Sequence, residues 1–449
     1  MRKATHLLAA VLIAAVWVTA GSGEETDAEA PGTVVYAEWF TDRAMRVDLQ
    51  HTATADSETV GLDEIAMEPL WAGTRLYLVD PFGYGKYRFE VRDGATGRLI
   101  FSHGFCTLLG EYQSTEEAQG IARTMSESLR FPYPRKPVTV RLHSRDRQGR
   151  LHEIFKIDID PASLQVNKEK YHADLHVFDL HVGGKPENQV DLLILPDGYD
   201  KDEAEKMARD AARFARVFFD YEPFAGHRDH VSIRMIAAFS AQSGPDEPRK
   251  SIYNDTAFGT SFNTFGAERY LTTADNKTMR RAAALAPCDV IVIMVNTARY
   301  GGGGIYNSWS IFAADNEYDE YVYIHEFGHA FAGLADEYFV SGGAYDEDAF
   351  YPSGVEPWEP NISAFLGGKK ESVKWHEMIG EGAVLPTPSE DKYGNAVGVF
   401  EGGGYKSKGL FRGYLDCKMF HKGLVPFCPV CARSIERMID YYTGGLEGK

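Results

Sequence analysis

Five residues, His325-Glu326-Phe327-Gly328-His329, restrict what this chain can fold into more than any other stretch. They lie inside Tyr321 to Tyr338, YVYIHEFGHAFAGLADEY. On a helix, two histidines at i and i+4 project from one face. The neighbours Tyr321, Val322, Ile324, Phe331 and Leu334 are apolar, so that helix is expected in a core. Burying three ionisable groups there without partners costs several kcal/mol. A zinc ion shared by His325 and His329 removes the conflict. Zinc takes imidazole nitrogens at about 2.0–2.1 Å, and a catalytic site leaves its fourth position to water. Glu326, directly after the first histidine, can reach that water as general base without being a ligand.

The third ligand is sought after His329, in Ala330 to Asp336. Gly333 suits a helix C-terminus that turns back at positive φ, and Asp336 follows three residues later. This resembles the metzincin pattern H-E-x-x-H-x-x-G-x-x-H/D, with one extra residue before the glycine and Asp in the last position. Asp336 is therefore the expected third ligand. Glu337 next to it, or a carboxylate from Asp346, Glu347 or Asp348 on a separate helix, remains an alternative.

At the start of the chain, Arg2 and Lys3 precede an apolar run from Leu7 to Val18, and small residues follow at Ala20 to Gly23. The pattern is that of a secretory signal peptide over residues 1–20, with Val18-Thr19-Ala20 fitting the small-x-small cleavage rule. A polar leader over 21–31 follows, and a secreted or periplasmic protein without stable membrane insertion is expected. The net charge of −18 argues against nucleic acid and anionic membranes as partners.

From residue 32 to 165 the chain alternates β-formers with turns: Val34 to Tyr36, Leu76 to Leu78, Tyr87 to Val91 and Val138 to Leu142. Asp93-Gly94 and Gln148-Gly149 fall at hairpin spacing. An antiparallel β-sandwich interrupted by one helix near Thr115 to Leu129 is expected. Residues 166–449 alternate differently, with strands at Val190 to Leu195, Val231 to Phe239 and Val290 to Val295 and a helix at Asp202 to Phe219. The fold class is thus α/β (α+β). The run Gly301 to Gly304 lacks the Lys and Ser/Thr of a phosphate loop and reads as a flexible turn. It leads to an edge strand, Ser310 to Ala313, where an extended peptide substrate can add by β-augmentation. Asn361-Ile362-Ser363 is a glycosylation sequon.

Five cysteines are present, with Cys417, Cys428 and Cys431 clustered near the end. In an oxidising compartment one disulfide within the cluster is expected, closing a loop of about 10–15 residues. A second, structural zinc site on Cys417, His421, Cys428 and Cys431 is the alternative. Met419 lies in a turn-like segment that resembles the Met-turn of metzincins, an apolar floor under the metal. His421, two residues on, is a candidate electrophile.

HEFGHAFAGLADEY, the Cys417-x-Met419 turn, Phe427 to Cys431 and Asp191 to Tyr199 resemble the bacterial IgA-specific metallopeptidase family. Gly85 to Phe89 and Ser102 to Cys106 resemble the β-rich domain that precedes its catalytic domain. The resemblance implies a metzincin-like zinc endopeptidase acting on a protein or peptide, with His325, His329 and Asp336 on Zn²⁺ and Glu326 as base. A non-proteolytic zinc amidohydrolase or deacylase would use the same residues. A surface-binding module with a vestigial site would have no use for Glu326.

Overall fold

The computed structural model describes residues 33–169, 175–339 and 347–446, and they form a mixed α/β structure. The expected signal peptide and leader, residues 1–31, lie outside the described residues, as does Asp346.

Two four-stranded sheets occupy the first part. One is built on the long strand β1 (Phe40–Ala53), which pairs antiparallel with β2 (Glu58–Glu68) on one side. The other centres on β3 (Tyr87–Asp93), paired with β4 (Leu99–Phe105) through the Asp93-Gly94 hairpin. The second side of β1 takes β5 (Arg123–Pro134). Antiparallel to β3 runs β6 (Val138–Arg145), joined to β7 (Leu151–Ile159) by the turn at Gln148-Gly149. A short strand, β8 (Val166–Asn167), completes the first sheet beside β2. On β3 and β6 buried and half-buried residues alternate, as one-sided burial of a pleated strand requires. The inward residues of both sheets, Val47, Phe89, Phe131 and Val140 among them, share one core.

The helix expected at Thr115 to Leu129 is not formed. Its first part is a turn with a 3-10 segment, Glu117–Gln119, and its second part is the start of β5. The fourteen-residue β1 supplies a ladder from Phe40 to Ala53, and that pairing overrides the helical preference of a Glu- and Ala-rich stretch.

The second part is a six-stranded sheet. It begins at an edge with β9 (His176–His181) and continues in the centre with β10 (Val190–Asp197). The crossover helix α1 (Ala204–Val217) leads to β11 (Val231–Ala237), parallel to β10. Then α2 (Asn276–Ala283) leads to β12 (Val290–Val295), on the other side of β10. The strands β13 (Gly302–Ile305) and β14 (Trp309–Ala313) follow, and α3 (Asp319–Ala332) returns across the sheet. The order is β13-β14-β12-β10-β11-β9, with the four middle strands parallel. Such strands are covered on both faces and read as continuous apolar runs, as β12 does. One face packs on α1, α3 and the last helix, α4 (Pro429–Thr443), and the other on α2. At the carboxyl end of β10, buried Asp197 accepts hydrogen bonds from the amides of Phe258 and Thr260, pinning the loop beyond the strand.

Two expectations near the sheet edge are reversed. Ser310 to Ala313 lies inside the sheet, between β12 and β13, and the glycine run is the edge strand itself. The glycines permit close approach rather than a turn. A Cβ on Gly304 would stand 2.8 Å from the His329 Cβ and meet the Glu326 carbonyl oxygen. Larger residues there would push α3 off the sheet.

No disulfide joins Cys417, Cys428 and Cys431. The Sγ atoms of Cys417 and Cys431 are 3.7 Å apart, and all five cysteines are free. Asn361 of the sequon is fully buried and bonds Ala335 through both side-chain ends, which removes it from any glycosylating enzyme. Among the described residues no helix is long and apolar enough to cross a membrane.

Candidate metal centre

The geometry starts with α3. Its apolar residues Val322, Tyr323, Ile324, Phe327 and Phe331 are all buried, Tyr323 against Phe312 of the sheet, Phe327 against Phe218 and Phe331 against Tyr442 of α4, and this fixes the rotation that turns His325 and His329 toward the neighbouring cleft. The helix stops at Gly333, whose φ of 64° is the left-handed conformation that a glycine adopts without strain. The Gly333 amide donates to the His329 carbonyl and the Leu334 amide to that of Gly328, so the chain doubles back. That reversal carries Asp336 under the two imidazoles.

Three atoms converge. His325 Nε2 and His329 Nε2 are 3.2 Å apart, and Asp336 Oδ1 is 3.1 Å from the first and 3.4 Å from the second. The other ring nitrogens are engaged: His325 Nδ1 faces the Lys418 carbonyl at 3.1 Å and His329 Nδ1 faces the Leu334 carbonyl at 2.5 Å. A carbonyl accepts, so each Nδ1 carries a proton, and in the neutral ring each Nε2 presents a lone pair. Two lone pairs and a carboxylate oxygen then face one another with no donor between them. Asp336 Oδ1 is accordingly a buried oxygen without a hydrogen-bond partner. A cation is what this donor set fits. Ligand bonds of about 2.1 Å around a tetrahedral ion put neighbouring ligand atoms about 3.4 Å apart, close to the separations found here.

Without the ion, a proton on His329 partly takes its place. Burial works against charge on His329, but the Asp336 carboxylate overcomes it and raises the imidazole to about 9. Burial would raise the Asp336 carboxyl, yet the two imidazoles hold it well below the usual carboxylate range. Glu326 is moved up from its ordinary value, chiefly by burial. One of its oxygens lies within 4.8 Å of ligand nitrogens of both histidines. A carboxylate with a raised pKa beside a metal position suits proton transfer near neutral pH.

The expected residues thus divide. His325, Glu326, His329 and Asp336 come together. Glu337 points the other way, fully buried against the cysteine cluster, and Asp348 is exposed and paired with Lys406. His421 is also exposed, 3.3 Å from Asp416, and does not line the cleft. It stands outside the place an electrophile would need. Met419 is fully buried, with its sulfur 3.3 Å from where a Cβ on Gly328 would lie. Sequence reading missed Tyr405, whose hydroxyl donates to Asp336 Oδ2 at 2.6 Å. Sixty-nine residues separate the pair, and no local pattern marks it.

The cleft over these residues has a volume of about 690 Å³. One wall is α3 with the glycine edge strand. Another comes from the first part of the chain, where Lys86, Glu111 and Arg145 line it. Hydrogen bonds hold the walls together: the Cys106 amide to the Tyr306 carbonyl at 2.9 Å, and Asn307 Nδ2 to the Gly104 carbonyl at 2.7 Å.

A family model described as IgA Peptidase M64 matches residues 178–393 and 389–439. A second, described as Peptidase M64 N-terminus, matches residues 35–156. No curated protein matches the chain.

Proposed function

Because the chain belongs to the IgA Peptidase M64 family and is a peptidase, we propose that it is a zinc-dependent endopeptidase of metzincin type, exported by its N-terminal segment. The observation that carries the reading is the convergence of His325 Nε2, His329 Nε2 and Asp336 Oδ1 on one point, with Glu326 beside it. His325, His329 and Asp336 would hold the ion. Bound there, zinc would supply Lewis acidity, polarising a peptide carbonyl and making water more acidic.

The chain's own residues do the rest. Glu326, kept partly proton-hungry by burial, takes the proton of the attacking water and returns it to the leaving amine. The carbonyls of Lys418 and Leu334 fix both imidazole tautomers. Tyr405 holds Asp336 in the orientation that leaves Oδ1 free. Substrate lies in the cleft as an extended polypeptide. Tyr270 already bridges the edge strand at Gly302, so the substrate strand pairs beyond it, from Gly303 to Ile305. The two sheets of the first part act as a sandwich domain that closes the cleft from the other side.

The test is incubation of the purified protein with a peptide library, with and without chelator, and identification of the cut bonds by mass spectrometry. Internal cuts that vanish with chelator and return with zinc support the reading. Release of small acyl groups with intact peptide bonds would replace it with a deacylase.

A further inference from the structure

A second convergence of ligand atoms lies on the far side of Asp336. Glu337, Cys417, Cys428 and Cys431 are all buried, and one carboxylate oxygen and three sulfurs lie within 4.8 Å of one another. The sulfurs of Cys417 and Cys431 are 3.7 Å apart, and Glu337 Oε1 lies 3.1 Å from Cys431 Sγ and 4.0 Å from Cys428 Sγ. Metal–sulfur bonds of about 2.3 Å in a tetrahedron place sulfurs about 3.8 Å apart, whereas a disulfide needs about 2.05 Å. Glu337 Oε1 accepts from Asn361 Nδ2 at 3.1 Å, while Oε2 is buried with no hydrogen-bond partner. It is Oε1 that faces the thiols, and a fully buried carboxylate whose second oxygen has no partner is costly unless a cation meets it.

The backbone around the cluster is arranged for thiolates. The Cys428 amide donates to Cys417 Sγ at 3.2 Å and the Cys431 amide approaches Cys428 Sγ at 3.5 Å. Cys428 is the N-cap of α4, a fifteen-residue helix whose N-terminus favours negative charge.

We infer that Glu337, Cys417, Cys428 and Cys431 form a closed, structural site for a second zinc ion, which locks the residues around the first. The coupling runs through neighbouring atoms. Glu337 follows Asp336 directly, and its amide donates to the Met419 carbonyl at 2.8 Å. Cys417 begins the turn whose next carbonyl, that of Lys418, receives His325 Nδ1. One tetrahedral ion therefore ties together the loop carrying Asp336, the turn beneath α3 and the start of α4. His421 has no part in it, being exposed and turned to Asp416.

The test is metal analysis of the full chain. Elemental analysis after exhaustive dialysis should give two zinc ions per chain in the wild type and one in a His325→Ala/His329→Ala variant. In both proteins, exchange of zinc for cobalt should produce sulfur-to-cobalt charge-transfer absorption in the near ultraviolet, a signature that imidazole and carboxylate ligands do not give. Glu337→Gln should weaken the retained ion at least tenfold in competition with a chelator. One zinc in the wild type and none in the histidine variant would overturn the inference, as would a Cys417–Cys431 disulfide in unreduced protein. One zinc in both proteins would leave this site standing and remove the His325–His329 site instead.

Discussion

At the scale of single residues, Asp336 is the point on which the centre turns. Tyr405→Phe removes the donor to Oδ2 while leaving the ring packing in place. A lost outer partner of a metal ligand typically costs about 10–100-fold in affinity. Zinc competition should find Tyr405→Phe in that range and Asp336→Ala well beyond it. Asp336→His should keep some affinity, since imidazole also suits zinc. Protons compete at the same place. The Asp336 carboxylate raises the His329 imidazole to about 9, so below that pH zinc must displace a proton to bind. Apparent affinity should therefore rise with pH up to about 9, by roughly tenfold per unit for one proton, and level off above it. A flat profile from pH 6 to 9 would show that the imidazole is already neutral. The convergence of His325, Glu326, His329 and Asp336 was legible because their spacing along one helix and its turn is local. Tyr405 and Glu337 were not, because their roles depend on segments folded in from residues 400–431.

Among the elements, the meeting of the edge strand with α3 is the tightest. Gly304→Ala puts a methyl group against the Glu326 carbonyl and the His329 Cβ, and neither can yield without moving the helix. Overpacking of this kind costs about 1–3 kcal/mol. The variant should lose thermal stability and, more sharply, activity, because the displaced atoms belong to the centre. Gly333→Ala acts through the backbone. Its φ of 64° suits glycine, and the new Cβ would stand 3.0 Å from the Trp358 ring. A loss of about 1 kcal/mol or more is expected, read as a lowered denaturant midpoint with unchanged slope. The crossover helix was legible from its apolar period and the central strands from unbroken apolar runs, as with Val290–Val295. The glycine run and Arg123–Pro134 were not. A glycine required for close approach reads locally like one required for a turn, and a strand paired with a distant partner can carry helix-forming residues.

For the whole molecule, stability should have an alkaline limb set far from the cleft. His51 is fully buried between Glu127 at 2.9 Å and Glu58 at 3.1 Å. Burial opposes its charge, yet the Glu127 carboxylate overcomes it and the imidazole rises to about 9. The folded state then holds a proton that the unfolded chain releases near 6.5. The resulting stabilisation, on the order of 3 kcal/mol, is complete below pH 6.5 and lost as the pH climbs to about 9. Thermal midpoints of the wild type should fall across that window, and those of His51→Gln should fall much less. If both decline in parallel, the pair does not carry the effect. The larger claim is that the whole fold serves one metal-dependent hydrolysis at His325, Glu326, His329 and Asp336. Glu326→Gln tests it most directly, because the substitution removes the base and leaves every ligand in place. Zinc content and peptide cleavage should be measured on the same preparation. We predict wild-type zinc with turnover reduced by several orders of magnitude. Turnover equal to wild type at full zinc occupancy would contradict the account.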